Sequence, residues 1–240
     1  MFSALKKAPP VPVCTAIIVA AGSGARMGTE TKKQFLYILD KPVLAHTIEA
    51  IESCELVRDI IIVTASEDII TVKEIIDEIE SEKVSEIVSG GEKRAVSVSL
   101  GLKAVKNDSD IVLIHDGVRP VLTSDLIERV ISDASEYGAA ALGVLVKDTM
   151  KTVDNSGFID KTLNRAELVA IQTPQCFKTE IIKKAYENFD ENATDDCALV
   201  ESLGVKIKIT EGSYSNLKLT TIEDLKILEA LIINSYERED

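Results

Sequence analysis

Short apolar runs alternate along this chain with longer stretches in which apolar residues recur every three or four positions. The runs predict strands over Thr15–Ala20, Asp59–Thr64, Glu86–Ser89, Asp110–His115, Ala139–Val146 and Lys206–Thr210. Most are rich in Ile and Val with little alternation, the pattern of strands buried on both faces. The amphipathic stretches predict helices over Pro42–Ser53, Glu67–Ser81, Lys93–Val105, Thr123–Glu136, Lys178–Asn188, Thr194–Leu203 and Ile222–Tyr236. Thr123-Ser124-Asp125 and Thr220-Thr221-Ile222-Glu223 have the chemistry of helix starts, a hydroxyl or carboxylate ahead of an apolar face. Strand and helix in repeated alternation imply an α/β fold, a Rossmann-like, mostly parallel sheet with helices on both faces.

One segment breaks that rhythm. From Lys147 to Gln172, charged and turn-forming residues alternate with Val153, Phe158, Ile159 and Leu163, and Asn155-Ser156-Gly157 separates two short alternating runs. That is a hairpin signal. An excursion of this length cannot bury itself, so residues 147–172 are expected to form a protruding β-arm that packs on a second copy of the chain, the plain alternative being a simple solvent-exposed hairpin. The rest of residues 1–240 reads as one α/β domain, a normal length for such a unit.

Charge narrows the partners. Lys plus Arg number 27 against 40 Asp plus Glu, a net charge of −13, so the surface repels nucleic acid and anionic membranes. No apolar run is long enough to span a bilayer, and the first twelve residues carry Lys6, Lys7 and three prolines instead of a hydrophobic signal core. Cys14, Cys54, Cys176 and Cys197 lack metal-ligand spacing and sit in apolar or helical contexts, which reads as buried free thiols. A cytoplasmic location is expected. In so acidic a chain, any local cluster of cations is informative.

Such a cluster begins after the first strand. Val19-Ala20-Ala21-Gly22-Ser23-Gly24-Ala25-Arg26-Met27 joins an apolar run to a glycine turn, with Lys33-Gln34 close behind. Gly22 and Gly24 let backbone N–H groups approach an anion, while Arg26 offers a fork of donors and Lys33 a point charge. The turn lacks the Gly-Lys-Ser/Thr ending of a P-loop and the third small residue of a dinucleotide fingerprint. It suits a phosphate chain undergoing phosphoryl or nucleotidyl transfer. An ordinary strand-to-helix turn is the plain alternative.

Further candidates fall where open α/β sheets place their ligands, beyond the carboxyl ends of strands. Gly90-Gly91-Glu92-Lys93-Arg94, followed by Ser97, could hold a base or sugar edge or be only a turn and helix cap. In Ile114-His115-Asp116-Gly117-Val118-Arg119-Pro120, Asp116 is positioned to ligate Mg²⁺ bridging phosphate oxygens. The alternative there is a local Asp116–Arg119 ion pair, with His115 a satisfied core residue. Thr173-Pro174-Gln175, Thr194-Asp195-Asp196 and the segment 212–220 each read, taken singly, as turns or caps.

In order, these segments resemble the 2-C-methyl-D-erythritol 4-phosphate cytidylyltransferase family of nucleotidyltransferases. The similarity runs from about Cys14 to Leu231, through the glycine turn, Lys33-Gln34, Lys41-Pro42-Val43-Leu44, Gly90-Gly91 with Arg94 and Ser97, His115-Asp116 with Arg119-Pro120, Asp148-Thr149-Met150-Lys151, Gln172-Thr173-Pro174-Gln175, Thr194-Asp195-Asp196 and Asn216-Leu217-Lys218. The resemblance implies transfer of CMP from CTP to methylerythritol phosphate, with release of pyrophosphate, in the non-mevalonate route to isoprenoids.

It also implies roles. Arg26 and Lys33 would be catalytic. Ala20, Ala21, Gly22, Gly24, Gly91, Arg94 and Ser97 would bind the nucleotide, Asp116 the Mg²⁺, and Thr149, Arg165, Lys218 and Arg119 the phosphorylated polyol. Thr149 and Arg165 would reach the active site of the other subunit of a homodimer. The chain departs from the family's usual pattern at Lys32 (commonly Pro), Gly117-Val118 (Ala-Ala), Val169 (Trp) and Ser215 (Asp in some members). Ribitol-5-phosphate cytidylyltransferases share several of these motifs, and a non-catalytic nucleotide-binding dimer is the alternative from another class.

Overall fold

The computed structural model describes residues 11–22 and 31–236. The first half of the chain lays down β1 (Cys14–Val19), the two-residue strands β2 (Tyr37–Ile38) and β3 (Lys41–Pro42), α1 (Val43–Glu52), β4 (Val57–Thr64), α2 (Ile69–Glu78), β5 (Val84–Ser89), α3 (Arg94–Ala104) and β6 (Ile111–Asp116). The second half adds α4 (Ser124–Tyr137), β7 (Ala139–Leu145), β8 (Lys151–Val153), β9 (Ile159–Thr162), β10 (Val169–Lys178), α5 (Thr179–Ala185), α6 (Asp196–Ser202), β11 (Lys208–Glu211) and α7 (Ile222–Tyr236). Seven strands form one sheet in the order β11-β7-β10-β6-β1-β4-β5.

The apolar runs are nearly continuous because both faces of the sheet are covered. Ile18, Ile60, Ile62 and Leu113 face α1, α2 and α4, where Leu44, Ile48, Val72, Val130 and Ile131 are buried. Their chain neighbours Ile17, Ile61, Val112 and Ile114 face the other way, onto Val98 and Leu102 of α3, Ile182 of α5 and Val200 of α6. Strand periodicity of two thus feeds two separate cores. A third cluster joins Ile38, Val43 and Val118 to Leu219, Leu228 and Ile232, seating α7 over the β2–β3 segment.

Both predicted helix starts are in place, with the expected hydroxyl cap at α4. The Thr123 hydroxyl accepts from the backbone N–H of Leu126, and α4 ends at Gly138 with φ 93°. At α7 the Asp224 carboxylate accepts from the backbone N–H groups of Thr220 and Thr221, both at 2.8 Å.

Two features depart from the sequence reading. β10 is a central strand, antiparallel to both β6 and β7, although Thr173-Pro174-Gln175 reads as a turn. Proline is rare inside sheets because it cannot donate to the ladder. Here the β7 pairing runs from Val169 to Ile171, shifts register, and resumes at Gln175, so Pro174 sits in the irregularity. The arm is also shorter than 147–172. Its hairpin pairs Lys151 with Thr162, turns at Gly157 (φ 84°), and the chain rejoins the main sheet at Val169.

The strand order reverses at β1. The chain goes outward through β4 and β5, then returns to place β6 on the other side of β1. A crevice opens at such a reversal, beyond the carboxyl ends of β1 and β6.

Candidate active site

Val19, Ala20, Ala21 and Gly22 leave β1 along one wall of that crevice; Gly91 and Arg94 follow β5, Asp116 ends β6, and Lys33 and Lys218 close the sides. The main chain is held by its neighbours, since the N–H of Ala20 donates to Val63 O at 2.7 Å and that of Gly117 to Val19 O at 2.9 Å. Buried Gln34 ties the turn from the other side: its Nε2 donates to Ala20 O at 2.8 Å and to Gly22 O at 3.2 Å. Gln34, which carries no role in the sequence motif, thus braces the glycine turn from beneath. Arg26 and Gly24 fall in residues 23–30, outside the described residues.

The Gly90-Gly91 pair is needed for close approach. A Cβ on Gly90 would stand 2.7 Å from Ala21 Cβ and 2.8 Å from Ser97 Oγ, and one on Gly91 would collide with Val96. Ser97 is itself committed to this turn. Its Oγ accepts from Gly91 N–H at 3.1 Å and lies 3.3 Å from Gly91 O.

Asp116 is the electrostatic centre. Its Oδ2 accepts from Lys218 Nζ at 2.6 Å, its Oδ1 from Arg94 Nε at 3.1 Å, and Arg119 Nε stands 4.0 Å from Oδ2. Burial would raise the carboxyl's pKa, but Arg94, Lys218 and Arg119 together hold it well below the usual range, so it is ionised at neutral pH. The Asp116–Arg119 pair alone therefore understates the site. Arg119 is oriented mainly by donation from its Nη1 to Asn216 O at 2.7 Å. Asn216, fully buried, donates to Thr173 O at 2.8 Å and fixes the loop that presents Lys218.

His115 is a satisfied core residue, as the plain reading expects. Its Nδ1 lies 3.0 Å from the Thr173 hydroxyl and its Nε2 3.1 Å from Arg119 O. Thr173 Oγ1 also accepts from the Asp116 N–H at 3.1 Å, which leaves its hydroxyl proton for Nδ1 and makes Nε2 the protonated nitrogen. Burial pushes the His115 pKa down to about 4, so the ring is neutral.

The register of the lysines is resolved by Lys32. Its ammonium is bound to Glu67 at 2.8 Å and Asp68 at 2.6 Å, whereas buried Lys33 lines the cleft. Thr149 and Arg165 are not brought to this cleft within one chain. Both are exposed in the arm region, where Arg165 Nη1 donates to Lys147 O at 2.7 Å.

The sequence reading missed Asp196 and Tyr186. Asp195 is the cap of α6, accepting from Ala198 N–H at 3.0 Å, as Thr194-Asp195-Asp196 suggests. The next carboxylate is fully buried beside Arg94, and nothing in a capping motif signals that.

As a metal site the cleft offers one buried carboxylate, Asp116, with the exposed Glu92 also in its lining. Among the described residues no three His, Cys, Asp or Glu side chains converge as a metal cage, and Ser215, where some relatives carry Asp, is paired with Ser213 at 2.6 Å. Each Asp116 oxygen still has acceptor capacity beyond its one donor. That donor set fits Mg²⁺ held chiefly by nucleotide phosphates with a single protein carboxylate.

An open α/β sheet whose strand-order reversal carries a glycine turn, a buried carboxylate and converging cations defines a nucleotide-phosphate-binding transferase. The comparisons make the class specific. The family model for 2-C-methyl-D-erythritol 4-phosphate cytidylyltransferase matches residues 14–234, and the chain belongs to that family. It is a cytidylyltransferase. The enzyme of that name from Clostridium acetobutylicum is 47% identical over 221 residues, covering 90% of this chain and 96% of the relative. The one from Desulforamulus reducens is 44% identical over 221 residues, covering 90% and 94%. The crystal structure of 4-diphosphocytidyl-2C-methyl-D-erythritol synthase from Anaerococcus prevotii superposes with a TM-score of 0.81 at 33% identity, covering 92% of this chain and 96% of that one. These relatives favour the methylerythritol substrate over ribitol phosphate and an enzyme over a nucleotide sensor.

Proposed function

We propose that this chain transfers CMP from CTP to 2-C-methyl-D-erythritol 4-phosphate in isoprenoid precursor synthesis, at the cleft around Asp116. A phosphate oxygen of the acceptor attacks the α-phosphorus of CTP, a new P–O bond forms, and the bond to the β-phosphate oxygen breaks to release pyrophosphate. The nucleophile is already an anion, so the reaction needs positioning and charge neutralisation more than a general base. The observation that carries this reading is the convergence of Lys33, Arg94 and Lys218 on one cleft, with Arg119 close to Asp116, in a chain with net charge −13.

In this reading Gly22 and Gly24 let the backbone cradle the triphosphate, Ala20, Ala21 and Gly22 with Gly91 and Ser97 shape the cytosine pocket, and Arg94 completes the nucleotide site. Arg26 and Lys33 stabilise the charge that develops at the α-phosphorus. Lys218 and Arg119 hold the acceptor's phosphate. Asp116 would hold Mg²⁺, which when bound would neutralise the triphosphate and the departing pyrophosphate.

The arm supports a homodimer. Phe158 and Ile159 are 72% and 66% exposed at its tip, an apolar surface suited to covering by a second subunit. Thr149 and Arg165 would then serve the partner's cleft. Four unpaired thiols suit the reducing cytoplasm, and among the described residues no helix is long and apolar enough to cross a membrane.

The test is a product assay with CTP and Mg²⁺, offering methylerythritol phosphate and ribitol phosphate side by side. Formation of the diphosphocytidyl product and pyrophosphate from the first substrate alone is expected. Lys33→Ala and Arg26→Ala should lower kcat far more than they change CTP affinity. Loss of CTP binding with undiminished kcat would remove both residues from the transition state.

A further inference from the structure

The ion network continues behind the cleft, away from solvent. Arg94 lies between two carboxylates: its Nε donates to Asp116, and its Nη1 stands 2.9 Å from Asp196 Oδ2 as an ion pair. Asp196 is fully buried, and its other oxygen accepts from the Tyr186 hydroxyl at 2.5 Å. Independent bonds hold Asp196 in place: Gln175 of β10 donates to Asp195 at 2.9 Å and accepts from Cys197 N–H at 3.1 Å. Among the described residues, Nη2 of Arg94 is buried without a hydrogen-bond partner.

We propose that Asp196, held by Tyr186, is a positioning residue for the transfer reaction: it fixes the Arg94 guanidinium so that Arg94 shares Asp116 with Lys218 and keeps its place in the wall of the cleft that receives the nucleotide's phosphates. This rests on the reading of the cleft as the CTP site. A guanidinium with only one carboxylate within reach closes on it with two parallel bonds. Without the charge of Asp196, Arg94 would close on the Asp116 oxygen it already contacts and leave its place in the cleft wall, while Lys218 keeps the other oxygen. Asparagine at 196 would also turn an amide N–H or a weaker acceptor toward Arg94. Burial and the neighbouring Asp196 push the Tyr186 pKa upward, so its hydroxyl keeps donating across working pH.

A double-mutant cycle separates positioning from mere folding. Asp196→Asn should raise the KM for CTP about tenfold, the loss of one charge-assisted contact, with kcat and the KM for methylerythritol phosphate changed about twofold or less. In the Arg94→Ala background the same substitution should change the CTP KM about twofold or less, because the two residues act as one unit. Tyr186→Phe keeps the ring and should shift the CTP KM in the same direction by about threefold, again only when Arg94 is present. It carries the test if Asp196→Asn does not fold.

An unchanged CTP KM, or an equal rise in both backgrounds, would overturn the proposal, the second by showing that Asp196 acts through the fold. Wild-type protein inactive on CTP would overturn the function itself. Positioning would then be judged from inorganic triphosphate, whose binding must weaken in Asp196→Asn and not further once Arg94 is alanine.

Discussion

Replacing Asp116 by Asn tests the electrostatic centre at constant shape. The amide keeps the side-chain volume, and the backbone N–H can still donate to Thr173, so β6 and its turn should persist. The charge shared by Lys218, Arg94 and Arg119 disappears. Removing one partner of a buried ion pair typically costs about 3–5 kcal/mol, because it leaves an uncompensated charge. The Asn oxygen can still accept from Lys218, so a loss of about 3 kcal/mol is expected. For a chain of this size that lowers Tm by about 6–12 °C.

The assay is urea and thermal unfolding at neutral pH in phosphate-free buffer. Asp116 is ionised there, since its depressed pKa removes the charge only as pH falls well below the ordinary carboxylate value. Lys218→Met in the Asp116→Asn background should recover part of the loss, since the unpaired cation goes too. A single variant within about 0.5 kcal/mol of wild type, or a double variant that loses the sum of the two singles, would refute the view that these charges compensate one another. Turnover should fall by at least about a hundredfold in either case, as expected when the carboxylate that would hold Mg²⁺ and that orders Lys218 and Arg94 loses its charge.

His115 makes stability pH-dependent. Its folded pKa of about 4 lies below the ordinary 6.5, so the unfolded chain takes up a proton that the folded chain refuses. The fold should lose about 3 kcal/mol from this group as pH falls from 6.5 toward 4, and nothing from it above that window. Urea titrations across this range measure the slope, and His115→Asn should flatten it. Gly90→Ala drives a Cβ against Ala21 and Ser97, so a stability loss of about 1–3 kcal/mol with a raised CTP KM is expected; a variant with wild-type KM would separate this turn from nucleotide binding. Mixing equal amounts of inactive Arg26→Ala and Arg165→Ala subunits should restore about a quarter of the wild-type rate, because half the dimers then hold one intact site. No recovery after subunit exchange would mean that the arm does not serve its neighbour.

The α/β layering, the helix caps of α4 and α7 and the hairpin turn at Gly157 follow from the sequence because they depend on local periodicity and side chains within a few residues. The cleft residues Lys33, Gly91, Arg94 and Asp116 are legible as cations, a glycine and a carboxylate just after apolar runs, whereas Lys218 is legible only through the family resemblance. Tertiary structure decided the rest. Pro174 lies in a central strand because β6 and β7 flank it in space, and no local rule anticipates that pairing. Lys32 and Lys33 adjoin in sequence and part in the fold, one to Glu67 and Asp68, the other to the cleft. Asp196 and Arg94 are remote in the chain and adjacent in the core, where low dielectric turns a capping-motif neighbour into half of a buried ion pair. Local propensity travels only a turn or two along the backbone, whereas charge acts through space, so the protein's electrostatic design appears only once the chain has closed on itself.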